Sequence, residues 1–399
     1  MNVIGIVAEY NPFHKGHAYH IRQSKAALGS DAPVLCVMSG DFVQRGEPAV
    51  FNKHVRAQMA VAGGADLILE LPLPWCLMSA EGFARGAVEL LDGLGVVTHL
   101  SFGSETGEIA PLSALAHAAM ENDVIQAVRE QQQNGMAYAS ARQKVLTDKL
   151  GEIAACLQTP NNILAVEYLK ALYRINSGIK PITIPRVGAA HDGGGGELPS
   201  AMEVRNLLRQ NRSIDAFVPE GTRMAALEEW KRGRGPVFSS DLETAIVSRL
   251  RFIPRSNFDY LPDATEGLGG RFYQAVRSEA GLDEILAAVK TKRYPFSRLR
   301  RMALCAALGI YKGTVTGNVP PYARVLAANA RGRELLRQLD GKTRVPLLTK
   351  PAAVRELDEN ANRIFRLTAD ARDLYVLAYE TREEQRSGSD WRSGPRMLG

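Results

Sequence analysis

The sequence predicts an α/β fold, a Rossmann-like, doubly wound parallel sheet followed by a helical, basic C-terminal domain. Three observations carry that prediction. Apolar runs of strand length recur at residues 3–8, 32–38, 66–70 and 99–102, with helix-like stretches between them. Each run is closed by a turn signal, in order Asn11-Pro12, Ser39-Gly40, Pro72 with Pro74, and Gly103. Beyond about residue 217 this alternation stops, and helical, Lys/Arg-rich segments take over. Repeated strand–helix units of this length imply parallel pairing with helices on both faces.

Taken in order, the first strand (3–8) breaks at Asn-Pro and feeds a helix opened by His14-Lys15-Gly16-His17, with Tyr19, Ile21 and Ala26-Ala27 at apolar positions. Residues 53–62 read as a helix with Val55, Met59 and Ala60 on one face, closed by Gly63-Gly64, and residues 80–91 as another. The stretch 111–150 is helical and polar, including Glu130-Gln131-Gln132-Gln133, and reads as a helical insertion. Pro160-Asn161-Asn162 opens a further helix, where an Asn can cap. A strand at 182–184 leads into Pro185-Arg186. A flexible loop of His191-Asp192 and four glycines (193–196) precedes a helix opening at Ser200. The expected division is a catalytic domain at 1–220, a helical basic domain at 221–383, and a flexible Arg/Ser/Gly-rich tail at 384–399.

A chain of 399 residues with 45% apolar content can bury a sizeable core, and its net charge of +6 fits a polyanionic partner. The four cysteines have no Cys-x-x-Cys spacing. They read as buried thiols of a reducing compartment and supply no zinc site. The N-terminus lacks a signal peptide's basic region, and no apolar run approaches the ~18 residues of a membrane span. The expectation is a cytoplasmic protein with no membrane association and no protein-held metal.

Ligands on doubly wound sheets bind beyond the C-terminal strand ends. His14 and His17, Ser39-Gly40, residues 70–72 and residues 103–105 would therefore line one crevice. A helix N-terminus there offers unpaired N–H groups and a positive dipole end to an anion. Two imidazoles can donate to phosphate oxygens, and Gly16 leaves room for close approach. The loop 39–48 carries Arg45, and Ser39 and Arg45 are candidate contacts to phosphate or substrate. Glu70 and Glu105 are caps or metal partners. Arg186 suits a phosphate through its planar fork of donors, or else a surface ion pair. From 291 to 350 there are thirteen Lys/Arg against two Asp/Glu, and the run 292–301 mixes cations with aromatics. Lys292, Arg293, Tyr294, Arg298, Arg300 and Arg301 thus suit phosphate contacts and stacking on unpaired RNA bases.

The run Asn11-Pro12-Phe13-His14-Lys15-Gly16-His17 resembles the HxGH signature of the nucleotidyltransferase superfamily, whose members cleave ATP or CTP between the α- and β-phosphates. Together with residues 38–48 (Met-Ser-Gly-Asp-Phe-Val-Gln-Arg-Gly-Glu-Pro), it is similar to the bacterial tRNA(Met) cytidine acetate ligase family. The resemblance implies N4-acetylation of the wobble cytidine of elongator tRNA(Met) from acetate and ATP. The expected route passes through acetyl-adenylate and releases pyrophosphate and AMP, with Mg2+ on the triphosphate. It implies catalytic roles for His14 and His17. It also implies ATP contacts from Val7, Ala8, Glu9, Tyr10, Asn11, Pro12, Phe13, His14, Lys15, Gly16, His17, Ala18, Tyr19 and His20, and from Gly103, Asn161, Asn162 and Arg186. Ser200 and Arg205 stand where superfamily members bind the leaving phosphates, with Met202 in place of the usual hydroxyl. Two other readings fit parts of the sequence: a small-molecule adenylyl- or cytidylyltransferase, and a non-catalytic tRNA-binding protein. Neither accounts for both the complete motif and the basic segment.

Overall fold

The computed structural model describes residues 2–187, 198–265, 267–315, 317 and 319–399. Its strands are β1 (Ile4–Ala8), β2 (Val34–Ser39), β3 (Phe42–Val43), β4 (Glu47–Pro48), β5 (Leu67–Leu71), β6 (His99–Ser104), β7 (Lys180–Pro185), β8 (Ala323–Ala328), β9 (Leu347–Leu348) and β10 (Arg396–Met397). The helices of the first half are α1 (Lys15–Leu28), α2 (Lys53–Ala62), α3 (Ala80–Gly93), α4 (Ile109–Ala118), α5 (Asn122–Gln133), α6 (Tyr138–Leu150), α7 (Pro160–Arg174) and α8 (Ala201–Arg209). Those of the second half are α9 (Glu220–Lys231), α10 (Glu243–Phe252), α11 (Leu268–Ser278), α12 (Leu282–Val289), α13 (Phe296–Leu308), α14 (Ala330–Leu339) and α15 (Glu359–Tyr375).

One sheet runs β10-β8-β5-β2-β1-β6-β7, and β9 pairs with β8. β5, β2, β1, β6 and β7 are mutually parallel, which is the expected α/β core. From β1 the chain steps outward through β2 and β5, then returns to the other side of β1 for β6 and β7. The two directions part between β1 and β6, and the crevice of a doubly wound sheet opens there.

Every residue of β2 and β5 is buried, as strands covered on both faces require. Their side chains alternate between two cores. Leu35, Val37, Leu67 and Leu69 join the helix α3 and α7 layer, whereas Val34, Cys36, Met38 and Ile68 join Ile21, Val55 and Met59 of α1 and α2.

The second half departs from the sequence reading. Segment 221–383 is mostly helical, yet β8 runs antiparallel to β5 and extends the N-terminal sheet. Alanine-rich and bearing Arg324, this stretch has the local propensity of a helix, and only its burial against β5 makes it a strand. The tail is likewise held in place. Asp390 is 1% exposed and accepts from Lys53 and Arg324, and β10 pairs with β8. Cys36, Cys76 and Cys305 are buried free thiols and Cys156 is half-buried. Among the described residues no helix is long and apolar enough to cross a membrane.

Candidate active site

The turn after β1 brings the two motif histidines together. Tyr10 takes a left-handed φ of 45°, uncommon for a bulky residue, and is pinned by burial and by its hydroxyl on the Cys36 sulfur. Asn11, Pro12 and Phe13 are buried. The Asn11 amide oxygen accepts from Val50 N at 2.8 Å, and the Phe13 ring packs on Tyr10 and His17. These residues brace the turn.

His14 is the N-cap of α1. Its Nδ1 accepts from Gly16 N at 3.0 Å, and the His17 Nδ1 accepts from His14 N at 3.3 Å. A Cβ on Gly16 would fall 2.8 Å from the His14 ring, so this glycine makes room for the cap itself. Lys15 N donates to Phe217 O, and His17 N and Ala18 N donate to His14 O. The first-turn N–H groups are therefore satisfied within the protein. The expectation that they would serve an anion gives way, because the His14 side chain and the segment ending at Phe217 take them first.

The rings still have donors to offer. Both Nδ1 atoms accept backbone N–H groups, so both are unprotonated, and each neutral ring carries its proton on Nε2. Burial, then the charges of Arg186 and Arg205, push the His14 pKa down to about 3. Burial, then His14 and Arg186, hold that of His17 well below its ordinary value. The two rings stack 3.7 Å apart. This is a pair of neutral donors flanked by two guanidiniums, an arrangement suited to the charge on a phosphate in displacement.

The β6 and β7 ends supply the other wall. Arg186 N donates to Ser104 O, which sets the residue just past β7. Its Nη1 reaches the Asn161 amide oxygen at 3.4 Å. Gly103 lies alongside, where a Cβ would be 3.5 Å from the Arg186 side chain. Glu105 accepts from Asn161 Nδ2 at 2.6 Å, Asn162 N at 2.9 Å and Thr159 Oγ1 at 3.0 Å, and so caps α7. Of the two readings of Glu105, cap and metal partner, the structure has the cap. Asn162 is buried, and its amide oxygen accepts from Glu105 N and Thr106 N. It ties two segments, whereas Asn161 faces Arg186. Arg205 donates to Asn11 O at 2.9 Å, and Ser200 forms a capping box with Glu203 at the start of α8, leaving Met202 52% exposed.

The other expected contacts divide between groups already bonded within the fold and groups on the crevice elements. His20 bonds Ser101 Oγ at 2.9 Å within a chain that includes Ser24, and burial followed by the Arg186 charge lowers its pKa to about 4. Ser39 is fully buried, and its carbonyl accepts from Arg56. Glu70 belongs to a buried cluster with Lys53, Arg324 and Asp390. The His191-Asp192 loop lies outside the described residues. Val7 and Ala8 are half-buried at the end of β1, and Ala18 and Tyr19 are half-buried on α1. Lys15 is exposed, with its ammonium on Ala216 O.

Sequence reasoning passed over Arg56. This guanidinium is 0% exposed and donates to the carbonyls of Phe51, Glu9, Ser39 and Gly40, stitching the loops after β1 and β2 together. Its helix reads as amphipathic, and no local signal marks the polar face as buried.

The loop 39–48 forms a small hairpin, β3–β4, with Arg45 exposed at its turn. Gly46 lies on the backbone of α13, and Arg300 pairs with Glu47 at 2.8 Å, so the basic run abuts the crevice loop. The run itself divides. Lys292 and Arg293 are exposed. Tyr294 is buried with Arg298 over its ring, and Arg301 is buried on Asp263. Tyr294 and Arg301 are thereby structural, and the aromatic left exposed in the run is Phe296, at 42%.

The sequence matches the HIGH Nucleotidyl Transferase family over residues 1–390. It is 35% identical to the tRNA(Met) cytidine acetate ligase of Thermosipho africanus over 98% of each chain. It is 38% identical to the protein of that name from a Thermoanaerobacter species, over 95% of this chain and 96% of the relative. The crystal structure of Thermotoga maritima TmcAL bound with alpha-thio ATP superposes with a TM-score of 0.94 at 33% identity, over the full length of both chains.

Proposed function

The chain belongs to the HIGH nucleotidyl transferase family, and within it to the tRNA(Met) cytidine acetate ligases, and from that premise we propose the reaction it performs. It acetylates the N4 amine of the wobble cytidine of elongator tRNA(Met), consuming acetate and ATP. Acetate attacks the α-phosphate, giving acetyl-adenylate and pyrophosphate; the amine then takes the acetyl group and AMP leaves. The observation that carries this reading is the pair of neutral Nε2–H donors on His14 and His17, set at the sheet's switch point between Arg186 and Arg205. Donors fixed in advance where charge develops are the main protein contribution to phosphoryl chemistry.

In this reading ATP lies across the ends of β1 and β6, with its base side toward Gly103 and Asn161. Residues 221–383 supply the tRNA surface, led by Lys292, Arg293, Arg298 and Arg300. A reaction that needs tRNA and ATP together belongs in the cytoplasm. Mg2+ travels on the triphosphate, with phosphate oxygens and water as its ligands. Among the described residues no group of three or more His, Cys, Asp or Glu could hold a metal ion.

The test supplies purified protein with ATP and labelled acetate, with and without total tRNA, and digests the RNA to nucleosides. Label in N4-acetylcytidine is the expected result. ATP turnover indifferent to RNA, with a nucleotidylated small product, would replace this reading with a small-molecule transferase. Tight tRNA binding without turnover would leave a binding protein.

A further inference from the structure

The geometry points to Glu9 as the group that accepts the proton from the cytidine amine during acetyl transfer, an inference that rests on the function proposed above. Glu9 is the first residue past β1, half-buried, beside the motif turn. Its Oε1 accepts from Gln44 N at 2.7 Å, which ties it to the hairpin loop, and Arg56 fixes its carbonyl. Its Oε2 has no hydrogen-bond partner among the described residues, and no described cation lies within ion-pair distance of the carboxylate.

Every other carboxylate at this rim is engaged. Asp41 accepts from Lys53 N and Arg372, Glu47 from Arg300, Glu70 from Lys53, and Glu105 from the start of α7. Glu9 is the least held of the five: its carboxylate takes one backbone N–H and no ion pair, whereas Asp41, Glu47 and Glu70 each meet a cation and Glu105 takes three donors. A carboxylate has nothing to donate to a triphosphate and is repelled by it, so its place in a nucleotide crevice suits a ligand that donates. The exocyclic amine of cytosine is such a donor, and Glu or Asp is its natural acceptor. Burial raises the Glu9 pKa against the opposing pull of Gln44 N–H and then of Arg45, Arg205 and Arg56, so it is a better base than an exposed carboxylate.

In the step, the N4 lone pair forms the N–C bond to the acetyl carbonyl. The C–O bond to the AMP phosphate breaks, and its electron pair leaves with AMP. The N4 proton passes to Glu9 Oε2 and on to solvent. The groups facing Glu9 are the guanidiniums of Arg45, Arg56 and Arg205 and the Tyr168 phenol. Burial raises the Tyr168 phenol and lowers the nearby histidines. An acid limb of acetyl transfer that disappears in Glu9→Gln is therefore the signature of Glu9.

The test separates the two half-reactions in Glu9→Gln, which keeps an acceptor for Gln44 N–H, and in Glu9→Asp. Acetate-dependent ATP–pyrophosphate exchange without tRNA reads the first. Single-turnover transfer from synthetic acetyl-adenylate to tRNA, followed against pH, reads the second. Glu9→Gln is expected to lose about 30-fold or more in transfer beyond whatever it loses in exchange, together with the acid limb of the pH profile. Glu9→Asp is expected to fall between, with the limb retained. Transfer at the parent rate in Glu9→Gln, or equal loss of exchange and transfer, overturns the inference. A parent enzyme that neither exchanges pyrophosphate nor acetylates tRNA would overturn the functional reading beneath it.

Discussion

Gly46 rests on the backbone of Arg301: a Cβ at Gly46 would stand 2.5 Å from the Arg301 nitrogen, and its φ of +77° disfavours any side chain. The contact seats the hairpin that holds Glu9 on the first turns of α13. Gly46→Ala is expected to lower thermal stability and to reduce tRNA acetylation more than acetate-dependent pyrophosphate exchange. The left-handed backbone alone costs about 1–2 kcal/mol, and the clash with backbone adds to it. Melting curves beside the two activities check this.

His14→Ala and His17→Ala each remove one neutral donor. Loss of a donor of this kind lowers kcat by about 100- to 1000-fold. His14→Ala also removes the α1 cap, worth about 1 kcal/mol. Pyrophosphate exchange and thermal unfolding together separate the effects, and full exchange in His17→Ala would refute its assignment as a donor.

Stability should fall on mild acidification. The folded pKa values of His14 (about 3), His20 (about 4) and His54 (about 4), lowered mainly by burial, lie below the ordinary 6.5. Between those values and 6.5 the unfolded chain binds more protons, so stability is complete above pH 6.5 and declines as pH drops toward 4. Each group contributes on the order of 1 kcal/mol or more across that window. Urea midpoints at pH 7.5, 6, 5 and 4.5 test the trend, and His20→Gln should flatten part of it.

Asp390→Asn leaves Lys53 and Arg324 facing one carboxylate, Glu70, where there were two. Breaking a buried ionic group in this way costs about 3–5 kcal/mol. Equilibrium denaturation provides the measurement. A neutral result would mean that the tail is dispensable to the sheet.

Charge removal on the basic run should divide as the burial does. Lys292→Ala and Arg293→Ala are expected to leave the melting temperature unchanged, to weaken tRNA binding, and to lower its salt slope by about one per charge. Arg301→Ala, which strips Asp263 of its partner, should lower stability first. Filter binding at several salt concentrations distinguishes them.

The parallel core and the motif turn were legible in the sequence because their signals are local: apolar runs, turn residues, and two histidines three apart. What the sequence hid depends on distant partners. Arg56 and Lys53 look like the outer face of a helix, but the carbonyls and carboxylates that bury them come from residues 9 to 390. The stretch 323–328 has helix-forming residues and becomes a strand only beside β5. Ser39 is a candidate from its place in the loop after a strand, and its full burial shows only in three dimensions; the tie from Asn162 to residues 105 and 106 is likewise non-local. Tyr294 looked like a stacking ring, but its burial under Arg298 shows only in three dimensions.

The place of β8 also bears on how the enzyme is made. β5 lies two strands out from β1, yet its outer edge is covered by residues that leave the ribosome more than 250 positions later. Until then the nascent chain presents Leu67–Leu71, wholly apolar but for Glu70, as an open strand edge, and such edges pair with other chains. Synthesis from the first residue to Asp390 must finish before the sheet is closed and its buried charges are matched. Premature termination would therefore yield a sticky fragment with an unfinished sheet, and chaperone demand should concentrate in that interval of translation.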